Sequence, residues 1–218
     1  MISRLELKDS EEWKSERAKR IGGSDIACII GMNPWKTNVE LWREKMGMSK
    51  PDDVSDNPYV RYGVEAEPVI RELFKLNHKD LRIEYTPDNL WLNDLYPFAH
   101  ASLDGWVEDV DRKMGILEIK TGSIMSKTQA AKWDNRIPDQ YYCQVLWYMM
   151  VTDARYAWIT ALLRERKYSG EEVQVVKEYN IYRDSAVEQE IAILAEKAGE
   201  FWQSMKDGVE PPLILPSV

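Results

Sequence analysis

Apolar and polar residues alternate along two short stretches near the middle of the chain. The first stretch runs from near Phe98 to Val107, and the second begins at Gly115 and continues to Thr121. A period of two residues is typical of β-strands, whose side chains point alternately to the two faces of a sheet. The polar residues 108–114 between the stretches predict a turn. Together these residues predict a hairpin at the centre of the fold.

Longer stretches have apolar residues three and four positions apart, which is the spacing of amphipathic helices. The predicted helices span residues 11–20, 26–30, 37–46, 62–76, 139–151 and 185–206. In the helix at 62–76, the predicted buried stripe consists of Val64, Val69, Ile70, Leu73 and Phe74. In the last helix, it consists of Val187, Ile191, Leu194, Ala198 and Phe201. Each of these two helices is expected to pack one face against the core.

Further strands are predicted on both sides of the central hairpin. Two short strands are expected within residues 81–95, and two more at 154–163 and 174–183. Charged residues separate the strands at 154–163 and 174–183. This arrangement predicts a hairpin at the edge of the sheet. Helices and strands in this order predict an α/β (α+β) fold. Because the chain shows no internal repeat and no linker, residues 1–218 are expected to form one domain.

The composition is that of an ordinary globular protein. Apolar residues make up 44% and charged residues 30% of the 218 residues, which is common among soluble chains. No apolar run is long enough to span a bilayer, and residues 1–8 lack the character of a signal peptide. We therefore expect a cytoplasmic protein without a membrane contact, in which Cys28 and Cys143 are reduced core residues.

The net charge of −8 argues against a generic binder of polyanions, because contacts with phosphate need local positive charge. A basic patch can nevertheless exist on an acidic protein. One such patch is predicted in the first helix, at Lys14, Arg17, Lys19 and Arg20. Net charge alone therefore does not decide whether the chain binds nucleic acid.

The predicted hairpin carries the candidate chemistry. On its second strand Glu118 and Lys120 share one face, and Asp104 on the first strand can meet Glu118 across the hairpin. Two converging carboxylates repel each other, and a divalent cation with oxygen ligands relieves the repulsion. A lysine beside the cation could orient a water molecule, which outlines a site for phosphodiester hydrolysis. The alternative is a solvated strand face and an ordinary Asp-Gly turn.

Three other features each have a functional and a structural interpretation. The segment 22–25 could seat a phosphate at a helix start, or could be a loop and a helix cap. Glu67 could face the metal site, or could pair at the surface with Arg71 one turn later. Gln144 could contact a ligand, or could form a hydrogen bond within the core.

Five short motifs follow one another along the chain. They are Trp13-Lys-Ser-Glu-Arg17 leading to Gly22-Gly23-Ser24-Asp25-Ile26, Gly63-Val-Glu-Ala-Glu67, Ser102-Leu-Asp104-Gly105, Leu117-Glu118-Ile119-Lys120, and Gln140-Tyr-Tyr-Cys-Gln144. In this order they resemble the YqaJ-like viral recombinase group, in the lambda-exonuclease-type branch of the PD-(D/E)xK nucleases. The resemblance covers roughly residues 11–163. Each motif is weak alone, and their common order makes the resemblance specific.

The resemblance implies roles for the residues of the central hairpin. Asp104, Glu118 and the Ile119 carbonyl match the family's metal ligands. Lys120 matches the catalytic lysine. Leu103 replaces the proline of the family signature, and this departure matters little because the proline carries no chemistry.

The resemblance also implies roles for residues outside the hairpin. Glu67 matches a helix-borne glutamate near a second metal, and Glu65 is close enough to leave both alternatives open. Gln144 matches a catalytic glutamine on the helix that follows the lysine. The residues that match positions around a terminal 5′-phosphate are Arg17, Ser24, Ser102 and Gln144.

The implied fold is a restriction-endonuclease-like PD-(D/E)xK core, with a central mixed sheet flanked by helices. Residues 1–62 would hold the N-terminal helices and the end-binding segment, and residues 63–163 the catalytic core. Residues 164–218 would form the edge hairpin, the C-terminal helix and the tail. The implied activity is hydrolysis of one strand of linear double-stranded DNA in the 5′→3′ direction, with two Mg²⁺ ions (or Mn²⁺) per site. The products would be mononucleotides and a 3′ overhang for recombination by strand annealing.

The implied partners are DNA ends, a single-strand annealing protein, and further copies of the chain in a homotrimeric ring. The implied setting is the cytoplasm of a bacterial host, with a phage or prophage as the source of the gene. Two alternatives stay open, because one nuclease core supports several activities. The first is an endonuclease or flap nuclease, and the second is a non-catalytic scaffold that binds DNA ends during recombination.

Overall fold

A computed structural model describes residues 1–166 and 169–216 of the chain. In chain order, the elements are β1 (Ile2–Leu5), α1 (Ser10–Ala18), α2 (Gly23–Ile29), α3 (Asn38–Lys45), α4 (Pro58–Asn77), β2 (Arg82–Glu84), β3 (Leu90–Asn93), β4 (Gly105–Glu108), β5 (Met114–Ile124), α5 (Lys127–Ala131), α6 (Asp139–Thr152), β6 (Tyr156–Arg166), β7 (Glu172–Tyr182) and α7 (Ser185–Asp207). Across these described residues, no helix combines the length and the apolar character needed to cross a membrane.

The main sheet has five strands in the order β2-β4-β5-β6-β7. Strands β5 and β6 are parallel, and the other neighbouring pairs are antiparallel. A parallel pair needs a crossover connection, which α5 and α6 supply. Strand β7 lies at the edge, and β1 pairs with β3 in a separate two-stranded sheet. The prediction of a mixed sheet in an α/β (α+β) fold is confirmed.

Strand β5 is covered on both faces, and this cover positions the candidate site. On one face, Ile116 joins the core that includes the buried half of α6. On the other face, Leu117 and Ile119 pack with Ile70 and Phe74 of α4. Helix α6 is apolar on most sides and contacts the sheet, α2 and α7, as expected for a buried helix. Glu118, which lies between these buried apolar residues on β5, is therefore in a layer that largely excludes water.

The two predicted apolar stripes have different outcomes. The stripe on α7 is confirmed, since all five of its residues are buried. The stripe on α4 is wrong in part: Ile70 and Phe74 are buried, but Val64 and Val69 are each 68% exposed and Leu73 is 39% exposed. The buried residues of helix α4 are Ile70, Arg71 and Phe74, so the face that meets the sheet is narrow and includes Arg71, which one alternative had placed at the surface.

The central hairpin is shorter than predicted. Strand β4 begins at Gly105, and residues 98–104 take part only in isolated bridges. The Asn89 side chain accepts a hydrogen bond from the Leu103 N–H at 2.8 Å and donates one to the Leu103 carbonyl at 2.9 Å. These bonds remove the Leu103 backbone from a strand ladder. The two strands predicted within 81–95 exist as β2 and β3, in different sheets.

Candidate active site

Asp104 lies where β4 and β5 separate. The ladder between the two strands ends at the pair of Gly105 and Leu117. Beyond this pair, the backbone N–H groups of β5 that point toward β4 need another partner. The Ile119 N–H donates to the Asp104 carboxylate, with 2.8 Å between nitrogen and Oδ2. This bond holds Asp104 in place, and the charge of the neighbouring Glu118 acts on it. The predicted convergence of the two carboxylates is therefore present.

Glu118, Lys120 and Gln144 form a closed network between β5 and α6. The Lys120 ammonium donates to Glu118 Oε1 at 2.6 Å and to Gln144 Oε1 at 3.1 Å. The Gln144 amide nitrogen lies 2.8 Å from the same Glu118 oxygen and 3.0 Å from the Tyr148 hydroxyl. Gln144 therefore fixes both the acid and the lysine. The predicted hydrogen bonds within the core are present, with partners in the candidate site, and a contact of Gln144 with a ligand stays a prediction.

The second oxygen of Glu118 has no partner. Glu118 is 2% exposed, and its Oε2 atom forms no hydrogen bond with any residue that the structure describes. A buried carboxylate oxygen without a partner is costly. This atom marks a position where a positive group or a donor is missing.

The pKa values of the two acids show the same lack of positive charge. Loss of contact with water raises the pKa of Asp104 well above its ordinary value, and the charges of Glu118 and Glu67 raise it further. Burial also raises the pKa of Glu118, against the opposing effect of Lys120. Burial alone would lower the pKa of Lys120, but Glu118 and Asp104 outweigh that effect and raise it. The Lys120 ammonium thus serves both Asp104 and Glu118.

Helix α4 brings Glu67 to this cluster through Arg71. The Arg71 guanidinium donates to Glu67 Oε1, and its Nε donates to the Asp104 carbonyl at 2.6 Å. It also stacks on Tyr85, 3.5 Å from the ring centroid. Arg71 is only 5% exposed, so the pair with Glu67 is not the simple surface pair considered as an alternative. Glu65 is exposed on the same helix and has no hydrogen bond or ion pair within the described residues.

The residues predicted around a 5′-phosphate lie at several distances from this network. Ser102 is two positions before Asp104, and its hydroxyl oxygen is buried without a partner among the described residues. Ser24 is exposed in the first turn of α2. The preceding Gly23 lies so close to α6 that a Cβ atom there would be 2.8 Å from Gln144 Cγ. The backbone of Ser24 therefore lies next to the network of Gln144, because Gly23 precedes it directly.

Arg17 lies in a pocket beside α2. Its guanidinium stacks over Trp13, 4.1 Å from the ring centroid, and its charge acts on Tyr148. The pocket has a volume of 490 Å³, and its charged lining includes Lys14, Lys36 and Lys45. Each of these three lysines pairs with a carboxylate at 2.7–2.8 Å, so Arg17 is the lining Lys or Arg residue that has no ion-pair partner in the described part of the chain. The basic patch predicted in α1 is reduced in the same way, because Lys19 and Arg20 both pair with Glu16.

The family assignment follows from comparison with known sequences. The model of the YqaJ-like viral recombinase domain matches residues 12–155. The chain belongs to this family. The uncharacterized protein YqaJ of Bacillus subtilis (strain 168) is 30% identical to it over 208 residues, which make up 94% of this chain and 59% of YqaJ. The YqaJ-like chain thus spans about three fifths of the length of that relative.

Solved structures of exonucleases have a similar fold. The alkaline exonuclease LHK-Exo from Laribacter hongkongensis is 19% identical, with a TM-score of 0.66 over 92% of this chain and 94% of that chain. Its complex with dAMP gives 18% identity and a TM-score of 0.64 over 90% and 95%. A phage-related exonuclease from Haemophilus somnus 129PT gives 14% identity and a TM-score of 0.56 over 87% and 96%. At these identities the likeness establishes the fold of the YqaJ-like chain.

Sequence reasoning considered Arg71 only as a surface partner of Glu67, and it gave Tyr85 and Tyr148 no role in this YqaJ-like site. Arg71 and Tyr85 hold Glu67 and the Asp104 backbone, and the Tyr148 hydroxyl accepts from Gln144. The only available signal was an arginine inside an apolar helical stripe, between Ile70 and Phe74. A charged residue at a core position needs a partner, and Glu67 was four positions away.

Proposed function

We propose that the protein is a nuclease of DNA recombination, and specifically a Mg²⁺-dependent exonuclease that digests one strand of linear double-stranded DNA from its 5′ end. The observation that carries this proposal is the partnerless buried oxygen of Glu118, beside Asp104 and Lys120. The family of viral recombinase domains and the exonuclease fold support it. Release of mononucleotides is supported by the dAMP bound to the similar LHK-Exo.

The donor set fits a hard divalent cation. Asp104 and Glu118 supply carboxylate oxygens and Ile119 a backbone carbonyl, which suit Mg²⁺ or Mn²⁺. In the described ranges, no three His, Cys, Asp or Glu side chains are grouped closely enough to hold a metal alone. Mg²⁺ commonly uses one or two carboxylates and takes its other ligands from water and substrate phosphate. The two expected ions, the second near Glu67, would polarise the phosphate and lower the pKa of a bound water.

The protein groups hold the reacting atoms in place. Glu118 and Asp104 keep Lys120 protonated, so its ammonium can orient the attacking water and offset negative charge on the phosphate. Gln144 fixes the direction of that ammonium through its bond at 3.1 Å. Arg71 holds Glu67 toward the cluster and leaves the Glu67 carboxylate only one free oxygen.

The proposed substrate contact is a terminal 5′-phosphate at Arg17, Ser24, Ser102 and Gln144. A phosphate attracts a guanidinium and accepts hydrogen bonds from hydroxyl and amide groups. The Arg17 guanidinium supports this position, because it lies in a pocket and has no ion-pair partner among the described residues. From the family resemblance we further propose a homotrimeric ring and a single-strand annealing partner.

Digestion of a linear duplex labelled at one 5′ end and one 3′ end tests the proposal. The reaction is run with and without Mg²⁺, beside a closed circular DNA. The proposal expects release of the 5′ label as a mononucleotide only with Mg²⁺, and an intact circle. A nicked circle would favour the endonuclease, and no cleavage of any substrate would favour the non-catalytic scaffold.

A further inference from the structure

A second groove lies at the start of α4, where no role is assigned to any residue. It is bordered by Tyr59 and Tyr62 of α4, Ser123 of β5, and Arg164 and Arg166 of β6, and it has a volume of 540 Å³. We call it the Tyr59–Arg166 groove. Two tyrosines and two arginines in one groove combine the two side-chain types that bind nucleic-acid strands without sequence preference.

Arg164 is held in this groove by two fixed contacts. Its guanidinium lies over the Tyr62 ring, 4.2 Å from the centroid. Its Nη2 donates to the Ser123 hydroxyl at 3.1 Å. Its buried Nε–H has no acceptor among the described residues. A guanidinium that is already oriented loses less conformational freedom when it binds an anion.

The other groove residues are open to solvent. Tyr59 is 60% exposed, and Arg166 is exposed as well. Neither Arg164 nor Arg166 forms an ion pair with a residue in the described ranges. The described lining contains one acid, Glu172, so positive charge exceeds negative charge in the groove of a chain whose net charge is −8.

The groove is close to the candidate active site along two elements. Ser123 follows Lys120 by three positions on β5, which is about 10 Å of strand. Tyr62 precedes Glu67 by five positions on α4, which is about 8 Å of helix. The elements touch between these points, since a Cβ atom on Gly63 would lie 3.2 Å from the Thr121 hydroxyl oxygen. The groove lies on the α4 side of β5, whereas the network of Gln144 lies on the α6 side.

We propose that the Tyr59–Arg166 groove binds single-stranded DNA, and that it holds the 3′ overhang produced by digestion. The second half of this proposal rests on the proposed exonuclease function. A solvent-exposed tyrosine ring can stack on an unpaired base, whereas bases inside a duplex are already stacked on their neighbours. The two guanidinium groups supply the contacts to phosphate. The groove lies beside the candidate active site, but on the other side of the sheet from the Arg17 pocket. This position suits the DNA strand that is not being digested, since the 5′ end of the digested strand is proposed to bind near Arg17.

Affinity for a fluorescein-labelled oligo-dT, measured by anisotropy in EDTA at several salt concentrations, tests the groove without any cleavage. Tyr59→Ala should weaken binding about tenfold without changing the salt dependence, because stacking on a base involves no counterion. Arg166→Ala should reduce the slope of log affinity against log salt by about 0.7, the value for one phosphate contact on a single strand. Thermal melting checks that both surface variants remain folded.

Matched controls come from the far end of the same strands. Tyr182→Ala and Arg155→Ala also remove an exposed tyrosine and an exposed arginine, with side chains 69% and 59% exposed. They should leave both the affinity and the salt slope at the wild-type values. Three results would each overturn the proposal. The first is a wild-type protein that does not bind oligo-dT, and the second is a set of groove variants that bind it as the wild type does. The third is a pair of control variants that lose as much affinity as the groove variants. A groove that receives a protein segment instead would give the second of these results.

The overhang is tested separately, by counting nucleotides released per binding event on a long duplex. Tyr59→Ala and Arg166→Ala should lower this count, because the enzyme holds its product strand less tightly. If oligo-dT binding falls but the count does not, the groove does not hold the overhang during digestion. If the wild type cleaves no DNA while the groove variants still lose oligo-dT binding, the exonuclease proposal fails and the single-strand groove remains.

Discussion

At the scale of single residues, one carboxylate oxygen organises the candidate site. Glu118 Oε1 accepts from both Lys120 and Gln144, while its second oxygen has no partner in the part of the chain described here. The buried pair of acid and lysine is thus only half satisfied by the protein. A buried ion pair of this kind contributes little to the stability of the fold, because well-packed apolar residues in its place would often make the protein more stable. This geometry is consistent with the proposed binding of a divalent cation at Glu118.

Removing one acid or the lysine should therefore abolish cleavage and preserve the fold. Asp104→Asn keeps an oxygen that can accept from the Ile119 N–H, and Lys120→Ala removes the ammonium. We expect each variant to lose at least roughly a hundredfold in rate, as measured by release of a 5′ label. Asp111→Asn is the matched control, because the Asp111 side chain is 69% exposed. This variant should cleave DNA at the wild-type rate. Full activity in either site variant would refute the site.

The raised pKa of Asp104 predicts how stability depends on pH without metal. A folded-state pKa above the unfolded value contributes stability at low pH, and this contribution is lost as pH rises through the folded pKa. Metal-free protein should therefore lose stability, relative to Asp104→Asn, as pH rises from about 4 to neutral. Lys120 stays protonated over this range because its pKa is raised.

Thermal melting in EDTA measures this effect. Asp104→Asn should melt a few degrees above wild type at pH 7, since about 1 kcal/mol shifts the melting temperature by about 2–4 °C in a chain of this size. Added Mg²⁺ should raise the melting temperature of the wild type and leave that of Asp104→Asn nearly unchanged. A wild type that is the more stable of the two in EDTA at pH 7 would contradict the assignment.

Arg17→Ala should selectively weaken digestion of 5′-phosphorylated ends. Loss of a charge-assisted contact to a terminal phosphate should cost about tenfold or more on such ends and little on 5′-hydroxyl ends of the same duplex. Lys19→Ala is the control, because Lys19 is a basic residue of the same segment whose side chain is 59% exposed. Equal loss on both kinds of end would exclude a phosphate seat at Arg17.

At the scale of elements, the contact between α2 and α6 determines where Gln144 lies. Gly23 of α2 packs directly against Gln144 and Tyr148, and a side chain there has no room. Gly23→Ala should destabilise the protein by about 1–3 kcal/mol, the usual cost of overpacking a core. It should also lower the cleavage rate by shifting Gln144.

Gly199→Ala on α7 is the matched control for this prediction. A Cβ atom there meets nothing within 4 Å, and alanine is the better helix former, so this variant should be neutral or slightly stabilised. Urea unfolding measures both variants. If the two glycine substitutions have the same effect, the close approach of α2 to α6 does not determine the position of Gln144.

The elements also show what could be predicted from sequence. The stripe on α7 is confirmed because its spacing is regular and its buried face is uniformly apolar. Asp104, Glu118 and Lys120 could be placed together because strand alternation and a short hairpin are local. The exposed Val64 and Val69 could not be foreseen, since only the tertiary position of α4 determines which of its apolar faces meets the sheet. The burial of Arg71 was missed for the same reason.

At the scale of the whole molecule, the proposed function requires DNA to approach an acidic protein through restricted basic surfaces. The net charge is −8, yet the Arg17 pocket and the Tyr59–Arg166 groove both present arginines beside the acid cluster. Such local attraction weakens steeply with salt. The two surfaces lie on the α6 and α4 sides of β5, so the central strand separates the region proposed for the 5′ end from the one proposed for the remaining strand.

The parallel pair of β5 and β6 also has a consequence for the order of events in folding. Its register joins Gly115 to Tyr156, and the crossover helix between them carries Gln144. Contacts this far apart along the chain form slowly, because a long loop must close first. Asp104 and Glu118 can meet early in the local hairpin, but the Gln144 bonds that fix Lys120 and Glu118 must wait for α6 to dock. Under the proposed function, a newly made chain would therefore be unable to cut DNA until α6 has docked.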